Sequence, residues 1–477
     1  MKNVTSCGIL DTSNLTIHSE IKTKLVLEDI KMFEKRKLFK LNTFQIIVLG
    51  FFLVILVGAL LLMLPFASKE GKVTPFVDAL FTSTSCVCVT GLVVRDTGSY
   101  WSIFGHIVII MLIQIGGLGV ITLTMLFFIV FGKKISLSNR TTIQETLSSP
   151  SLSGVIRMIK FIVFGTFFIE FIGAICLLFP FCQEYGIKGI GFAIFHSISA
   201  FCNAGFDLLG DTSNLYPSLT NVSDNIIINV IIMLLIIIGG LGFFTWHDIK
   251  QKKFNFRKYS MQSKVIIITS ICLIIFPAIY YFFFEYADCK IKERILASLF
   301  QSVTARTAGF NTKDLTEMSD GGQAIMIGLM LIGGAPGSTA GGMKVTTFVV
   351  VFANAFSVFN QNNDVTFFRR RIDNQTIRNA CTILVIYLVL FLGCGIVIHM
   401  LDGIPLSYAL FETASAIGTV GLSLGVTPNL CIVSHIILIV LMFFGRVGAL
   451  TFIFASTYKN NNSNNLYRLP QEKIAIG

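Results

Sequence analysis

Charge is what this chain of 477 residues has least of. Only 13% of it is Asp, Glu, Lys or Arg, about half the ~25% usual in soluble domains. Hydrophobic residues make up 54%, and the mean hydropathy is +0.77. A soluble enzyme, a secreted disulfide scaffold and a disordered regulator are poor fits to such numbers. CxxC pairs are missing as well. The eleven cysteines are an odd number with no His cluster beside them, so a structural zinc site lacks its ligand spacing. Cys176, Cys272, Cys381 and Cys394 lie inside apolar runs and read as thiols acting as small hydrophobes. The first forty residues hold no short apolar core before a small-residue cleavage site, which excludes a signal peptide there. Residues 1–42 read as a cytosolic tail. Paired carboxylates, HExxH and Ser/His/Asp groupings are absent from the apolar runs, and no GxGxxG follows a strand. Neither an enzyme nor a nucleotide site is expected in this chain.

Long apolar runs are what the sequence has instead. Eight stand out, at roughly 43–66, 105–131, 156–180, 225–246, 261–284, 323–352, 379–401 and 432–456. About 20 apolar residues suffice to cross a bilayer core, so the chain reads as an all-α integral membrane protein. Within each successive pair of runs lies a shorter, half-apolar stretch: VDALFTSTSCVCVTGL, GFAIFHSISAFCNAGF, ILASLFQSVTARTAGF and YALFETASAIGTVGL. Each has a Phe, then small and hydroxyl residues, then a Gly. Phe81 precedes Gly91 by 10 residues, Phe195 precedes Gly205 by 10, Phe300 precedes Gly309 by 9, and Phe411 precedes Gly421 by 10. A Gly-rich break follows each copy, at Gly116–Gly119, Gly239–Gly242, Gly333–Gly334 and Gly445–Gly448. Four units therefore organise the chain: 43–131, 156–246, 261–352 and 379–456, with a C-terminal tail at 457–477.

Backbone that leaves helical geometry at membrane depth must be buried in protein or line water. A short helix ending mid-membrane in a Gly-containing loop thus reads as a pore loop. Four such loops around one axis turn carbonyls inward and replace the hydration shell of a cation. Small-residue helix packing accounts for any one of them but not for four in register.

Basic residues give the orientation. Residues 1–40, 132–160, 247–264, 353–378 and 457–477 carry 26 of the 37 Lys and Arg, so the termini and the connections between units face the cytosol. Asp96, Asp207, Asp211, Asp224, Asp314, Glu317 and Asp320 follow the repeat glycines on the other side and would concentrate cations there. The net charge of +11 is thus explained without nucleic acid.

The four loops, CVCVTGL, CNAGFD, TARTAGFNT and IGTVGLS, resemble the selectivity-filter segments of the Trk/Ktr/HKT superfamily of potassium transporters. Eight spans and the ending FFGRVGALTF are most similar to the membrane subunit of the Ktr branch. The resemblance covers 43–456 and implies a single-chain, pseudo-fourfold pore of four M1–pore-helix–M2 repeats in the plasma membrane. It also implies potassium as the transported ion, no tightly bound cofactor, a homodimer, and a cytosolic nucleotide-binding ring subunit; the Ktr branch is often stimulated by sodium. Carried over by position, the ion-binding residues are Val89, Thr90 and Gly91; Asn203, Ala204 and Gly205; Thr307, Ala308 and Gly309; and Thr419, Val420 and Gly421. In the plant branch a Ser at the first glycine goes with sodium preference, so four glycines imply potassium selectivity. An ion-coupled transporter of another solute is the alternative, but its usual inverted repeats are absent. A sodium-translocating relative is the other.

Two features stand apart. The segment GGAPGSTAGGMK, 333–344, cannot hold a continuous helix, and so should line the cavity below the filter. It fails the phosphate-loop pattern, because Gly342 is followed by Met343. In the family it resembles an intramembrane gating loop, which makes Gly333, Gly334, Gly337, Ser338, Thr339, Gly341 and Gly342 gate residues. Arg446 is a lone charge in an apolar span, where it costs at least ~2.5–3.5 kcal/mol. Two roles are open to it: the family's gating arginine below the filter, or a cap on helix carbonyls. Lys344 either joins the gate or faces the cytosolic vestibule. Glu170 reads as a packing or hydrogen-bonding residue, Arg306 as support for its loop, and His106, His196, His399 and His435 as helix-packing residues.

Overall fold

The computed structural model describes residues 43–119, 122, 155–253, 255–362, 364–448 and 451; the two tails and most of 120–154 lie outside them. The described chain is almost wholly helical. Its fourteen main helices are α1 (Thr43–Leu62), α2 (Phe76–Cys88), α3 (Ile103–Leu118), α4 (Val155–Tyr185), α5 (Lys188–Phe201), α6 (Ile226–Gly240), α7 (Phe243–Lys252), α8 (Met261–Tyr280), α9 (Ile291–Thr304), α10 (Asp320–Leu331), α11 (Val345–Phe359), α12 (Asn374–Asp402), α13 (Leu406–Gly418) and α14 (Ile432–Val447). A two-stranded hairpin pairs Thr366–Phe367 with Arg370–Arg371 between α11 and α12.

Helices α1, α4, α8 and α12 are long and apolar enough to cross a membrane, and each leaves large hydrophobics exposed, such as Phe52, Phe164, Phe276 and Val389. Each packs against the short helix that follows it: α1 on α2, α4 on α5, α8 on α9 and α12 on α13. The joint is chemically repeated. Ser83, Ser197 and Ser302 donate to the carbonyls of Ile55, Glu170 and Ile274 at 2.7, 2.6 and 2.6 Å. Three residues further along the long helix stand Gly58, Gly173 and Pro277. A side chain at Gly58 or Gly173 would meet the serine hydroxyl, so these glycines let the short helix settle close.

The third helix of each unit packs on the short helix of the next. Helix α3 contacts α5, α6 contacts α9, α10 contacts α13, and α14 returns to α2. That succession is closed. Ser102, Asn225 and Ser319 cap α3, α6 and α10 from their side chains, while α14 starts after Cys431 without one.

The Gly-rich breaks end these helices early. Helix α3 stops at Leu118 before Gly119 (φ 85°), and α14 at Val447 before Gly448 (φ 92°); the rest of the expected spans 105–131 and 432–456 lies almost entirely outside the described residues. The expected run 225–246 is divided at its Gly-rich break into two helices: α7 leaves α6 at 94° through Gly242 at φ 85°. The bend is held from outside the unit, because Phe243 N–H donates to Gly337 O at 2.7 Å. The break expected at 333–344 is present as an irregular segment between α10 and α11.

Candidate functional site

Each short helix runs its C-terminus toward one point, carrying partial negative charge there from its last unpaired carbonyls. The chain then turns through a residue in the left-handed region: Val89 (φ 57°), Asn203 (58°), Thr307 (66°) and Thr419 (50°). Two residues on, Gly91, Gly205, Gly309 and Gly421 have φ of 95°, 69°, 84° and 95°. Their closeness is measured by where a Cβ would fall. At Gly91 it would lie 2.5 Å from Ala204 O, and at Gly205 2.7 Å from Ala308 O. At Gly309 it would strike Val420 O, and at Gly421 Thr90 O. Every glycine therefore abuts the carbonyl of the next segment, and the fourth abuts the first. All twelve residues expected from the sequence, including Thr90, Ala204, Ala308 and Val420, stand in one ring of backbone.

Hydroxyls hold the ring. Ser85 and Ser415 accept from the N–H groups of Gly91 and Gly421, both at 3.0 Å. In the second and third units the matching hydroxyls point elsewhere: Ser199 donates to Phe206 O at 2.8 Å and Thr304 to Phe310 O. The third unit is one residue shorter, as its Phe–Gly spacing implies. Ala308 N–H reaches Thr304 O, four residues back, where Thr90, Ala204 and Val420 each reach five residues back.

Two cavities lie on opposite sides of the ring. The outer one, about 610 Å³, has all four glycines on its floor and Asp207, Asp314 and Asn311 among its walls. Residues 211–224 lie over it: Tyr216 N–H donates to Asp96 Oδ1 at 2.9 Å, and Leu219 N–H to Asn311 O at 3.0 Å. Asp96 is therefore occupied in holding this segment. Hydrogen bonds from the Ser213 hydroxyl and from the Asn214 and Ser213 amides hold the Asp211 carboxyl below the usual carboxylate range. The inner cavity, about 300 Å³, is bordered by Gly117, Pro336, Gly337, Lys344 and Arg446.

Between ring and inner cavity sits the segment 332–344. Its ends pair through Ile332 and Met343, with Gly333 N–H on Met343 O at 2.8 Å and Val345 N–H on Gly334 O at 3.0 Å. Ser338 donates to Ala335 O at 2.7 Å. Neighbouring units hold it too, through Ala335 N–H on Gly240 O at 3.0 Å and Gly342 N–H on Gly445 O at 3.1 Å. A Cβ at Gly341 would overlap the Thr419 side chain, and one at Gly342 would lie 2.7 Å from Gly418 O. Only glycine admits this approach to the ring.

Arg446 donates to Thr339 O in this segment and to Gly116 O and Gly117 O at the end of α3. One guanidinium thus meets both the carbonyls at the end of α3 and the loop. Lys344 Nζ turns back on Ala340 O (2.8 Å) and Gly341 O (3.3 Å) while bordering the inner cavity. Arg306 turns away from the ring to Ser270 on α8. The histidines each meet a backbone carbonyl, of Thr97, Phe192, Ile404 and Thr427 for His106, His196, His399 and His435.

Sequence reasoning missed Glu412. It is fully buried in α13 and accepts from Ser423 Oγ (2.5 Å), Thr427 Oγ1 (2.6 Å) and Leu424 N–H (3.3 Å), all just past Gly421. The other units place Thr82, His196 and Gln301 there, so the repeat did not mark it. Its only signal was a carboxylate in a half-apolar helix. Glu412→Leu leaves three donors without their acceptor, at roughly 1–3 kcal/mol for each buried group left unpaired. The expected result is a melting temperature in detergent several degrees lower, with Glu412→Gln intermediate. A second cluster, Glu170 with Gln114 (3.1 Å) and Cys202 (3.7 Å), backs the second ring segment.

Comparison with known proteins fits this geometry. The family of cation transport proteins designated TrkH matches residues 23–466. The chain belongs to the TrkH family. This is a family of membrane cation transporters, not of enzymes. The chain is 39% identical to the potassium/sodium uptake protein NtpJ of Enterococcus hirae, over 93% of this chain and 99% of that one. It is 38% identical to the Ktr system potassium uptake protein B of Bacillus subtilis, over 91% and 96%. The crystal structure of the potassium transporter TrkH from Vibrio parahaemolyticus shares the fold, with a TM-score of 0.69 and 19% identity over 87% of this chain and 85% of that one.

Proposed function

We propose that this TrkH-family chain takes up potassium through a pseudo-fourfold filter made by the ring, with residues 333–344 and Arg446 as its gate. The observation that carries the reading is the closed succession in which each ring glycine abuts the carbonyl of the next segment. Four short helices end there, and their C-terminal partial charges favour a cation. Carbonyls so arranged replace a hydration shell. The acidic residues of the outer cavity raise the local cation concentration. The basic connections put both termini in the cytosol. The names of the Ktr system relatives support a partner for this chain, read here as a cytosolic nucleotide-binding ring subunit working on a homodimer.

Purified protein in liposomes is expected to pass rubidium down its gradient with no organic solute present, and the gene to rescue a host that requires high potassium. Rubidium movement that appeared only with an added solute would favour a coupled secondary transporter and end this reading. A sodium-carrying variant of the same mechanism is favoured by the potassium/sodium name of one relative; a rubidium/sodium flux ratio near one is its outcome.

A further inference from the structure

Thr339 is tied at every polar atom. Its N–H donates to Gly239 O at 3.4 Å, and its carbonyl accepts from Arg446. Its hydroxyl lies 3.1 Å from Phe201 O and 3.5 Å from Asn203 Oδ1. Both acceptors belong to the second unit, where α5 ends and the ring begins. Asn203 then continues across the ring: its Nδ2 donates to Thr307 Oγ1 at 3.3 Å, at the matching position of the third unit. One buried amide thereby joins a loop residue to two of the four ring segments.

The other two segments lack this connection. Val89 has no polar side-chain atom to offer, and Thr419 Oγ1 is buried without a hydrogen-bond partner. Their glycines are instead fixed from behind, by the Ser85 and Ser415 hydroxyls on Gly91 and Gly421 N–H. In the second and third units the corresponding hydroxyls go to carbonyls beyond the glycine. The half of the ring without a hydroxyl on its glycine amides is the half joined to the loop by side-chain hydrogen bonds, whereas the fourth segment meets the loop by packing at Thr419.

We propose that the Thr339–Asn203–Thr307 chain couples the position of the loop to the width of the ring, so that the loop sets ion selection as well as flux. Thr339 is then a specificity-determining positioning residue for a monovalent cation it does not touch. This rests on the reading of the ring as filter and the loop as gate. The physical basis is the cost of an unpaired buried polar group. When the loop withdraws, Phe201 O and Asn203 Oδ1 lose the one hydroxyl proton they share. With its Oδ1 no longer fixed by the loop, the Asn203 amide is free to turn and release Thr307.

The test uses the full-length protein in liposomes, with rubidium and sodium fluxes measured separately. Thr339→Val keeps the shape and removes the hydroxyl; Thr339→Ser keeps the hydroxyl. The valine variant is expected to lower the rubidium/sodium ratio roughly three- to tenfold, the effect of about one neutral hydrogen bond, and the serine variant to hold it. Rubidium and sodium rising together at an unchanged ratio would overturn the coupling and leave the gate reading intact. No change in either flux or ratio would also overturn it, with the gate reading then judged on Arg446. Should the valine variant not assemble, Thr339→Ala removes the same hydroxyl at smaller volume. A double-mutant cycle gives a second readout: in an Asn203→Ala background, Thr339→Val is expected to add nothing to the change in ratio. A full additional change would mean that the two residues act independently and would overturn the proposal.

Discussion

Replacing Arg446 by alanine is expected to raise basal rubidium flux roughly ten- to hundredfold in liposomes holding this protein alone. The guanidinium reaches three carbonyls on two elements: Thr339 O in the loop, and Gly116 O and Gly117 O at the end of α3. A hydrogen bond from a charged group contributes about 1.5–3 kcal/mol, which sets the range when the one bond to the loop is lost. Alanine also removes a positive charge that borders the inner cavity and opposes any cation leaving the ring. Arg446→Lys separates the two effects. Lysine keeps the charge but lacks the planar fork that serves several acceptors at once. Flux near that of the unaltered protein in the lysine variant would assign the effect to charge; flux near that of the alanine variant would assign it to grip. An alanine variant with unchanged flux would remove Arg446 from the gate.

Much of this arrangement was legible in the sequence because it is repeated. Four glycines in register pointed to the residues that stand in the ring, and the shorter spacing from Phe300 to Gly309 goes with the altered turn after Thr304. The irregular 333–344 segment was legible for a different reason: its five glycines and proline leave no helical alternative. What stayed hidden was whatever depends on one unit alone. Asn203 read as one more filter residue, since nothing in CNAGFD says that its amide spans from Thr307 to Thr339. The break at Gly239–Gly242 was legible, but not the bend that follows it, because the loop that holds Phe243 lies in another unit. Glu412 stayed hidden because its partners, Ser423, Thr427 and Leu424, lie beyond the glycine, where the four copies no longer match. Periodicity reports what the units share; the asymmetry lies in contacts between units.

Gly91→Ser is expected to lower the rubidium/sodium flux ratio roughly tenfold or more while leaving the protein assembled. Gly91 sits at φ 95°, where a residue with a Cβ stores of order 1–3 kcal/mol of strain. Strain is the smaller part of the expectation. The new Cβ would lie 2.5 Å from Ala204 O and 3.1 Å from Gly205 Cα, and both of these are backbone atoms that no rotamer change can move aside. The second segment must shift, and Gly205 is itself pressed on Gly309, whose neighbour is Gly421. A closed ring transmits the displacement to all four carbonyls, and a ring that fits a dehydrated potassium ion less closely loses its preference over sodium. Gly425→Ala separates strain from displacement. Gly425 has φ 81° and no atom within 4 Å of where its Cβ would stand, so alanine there adds backbone strain without pushing on the ring. Its flux ratio should stay at that of the unaltered protein. Equal losses of selectivity in the two variants would mean that backbone strain near the mouth, and not contact within the ring, sets ion preference; an unchanged ratio in Gly91→Ser would mean that the ring is not the filter.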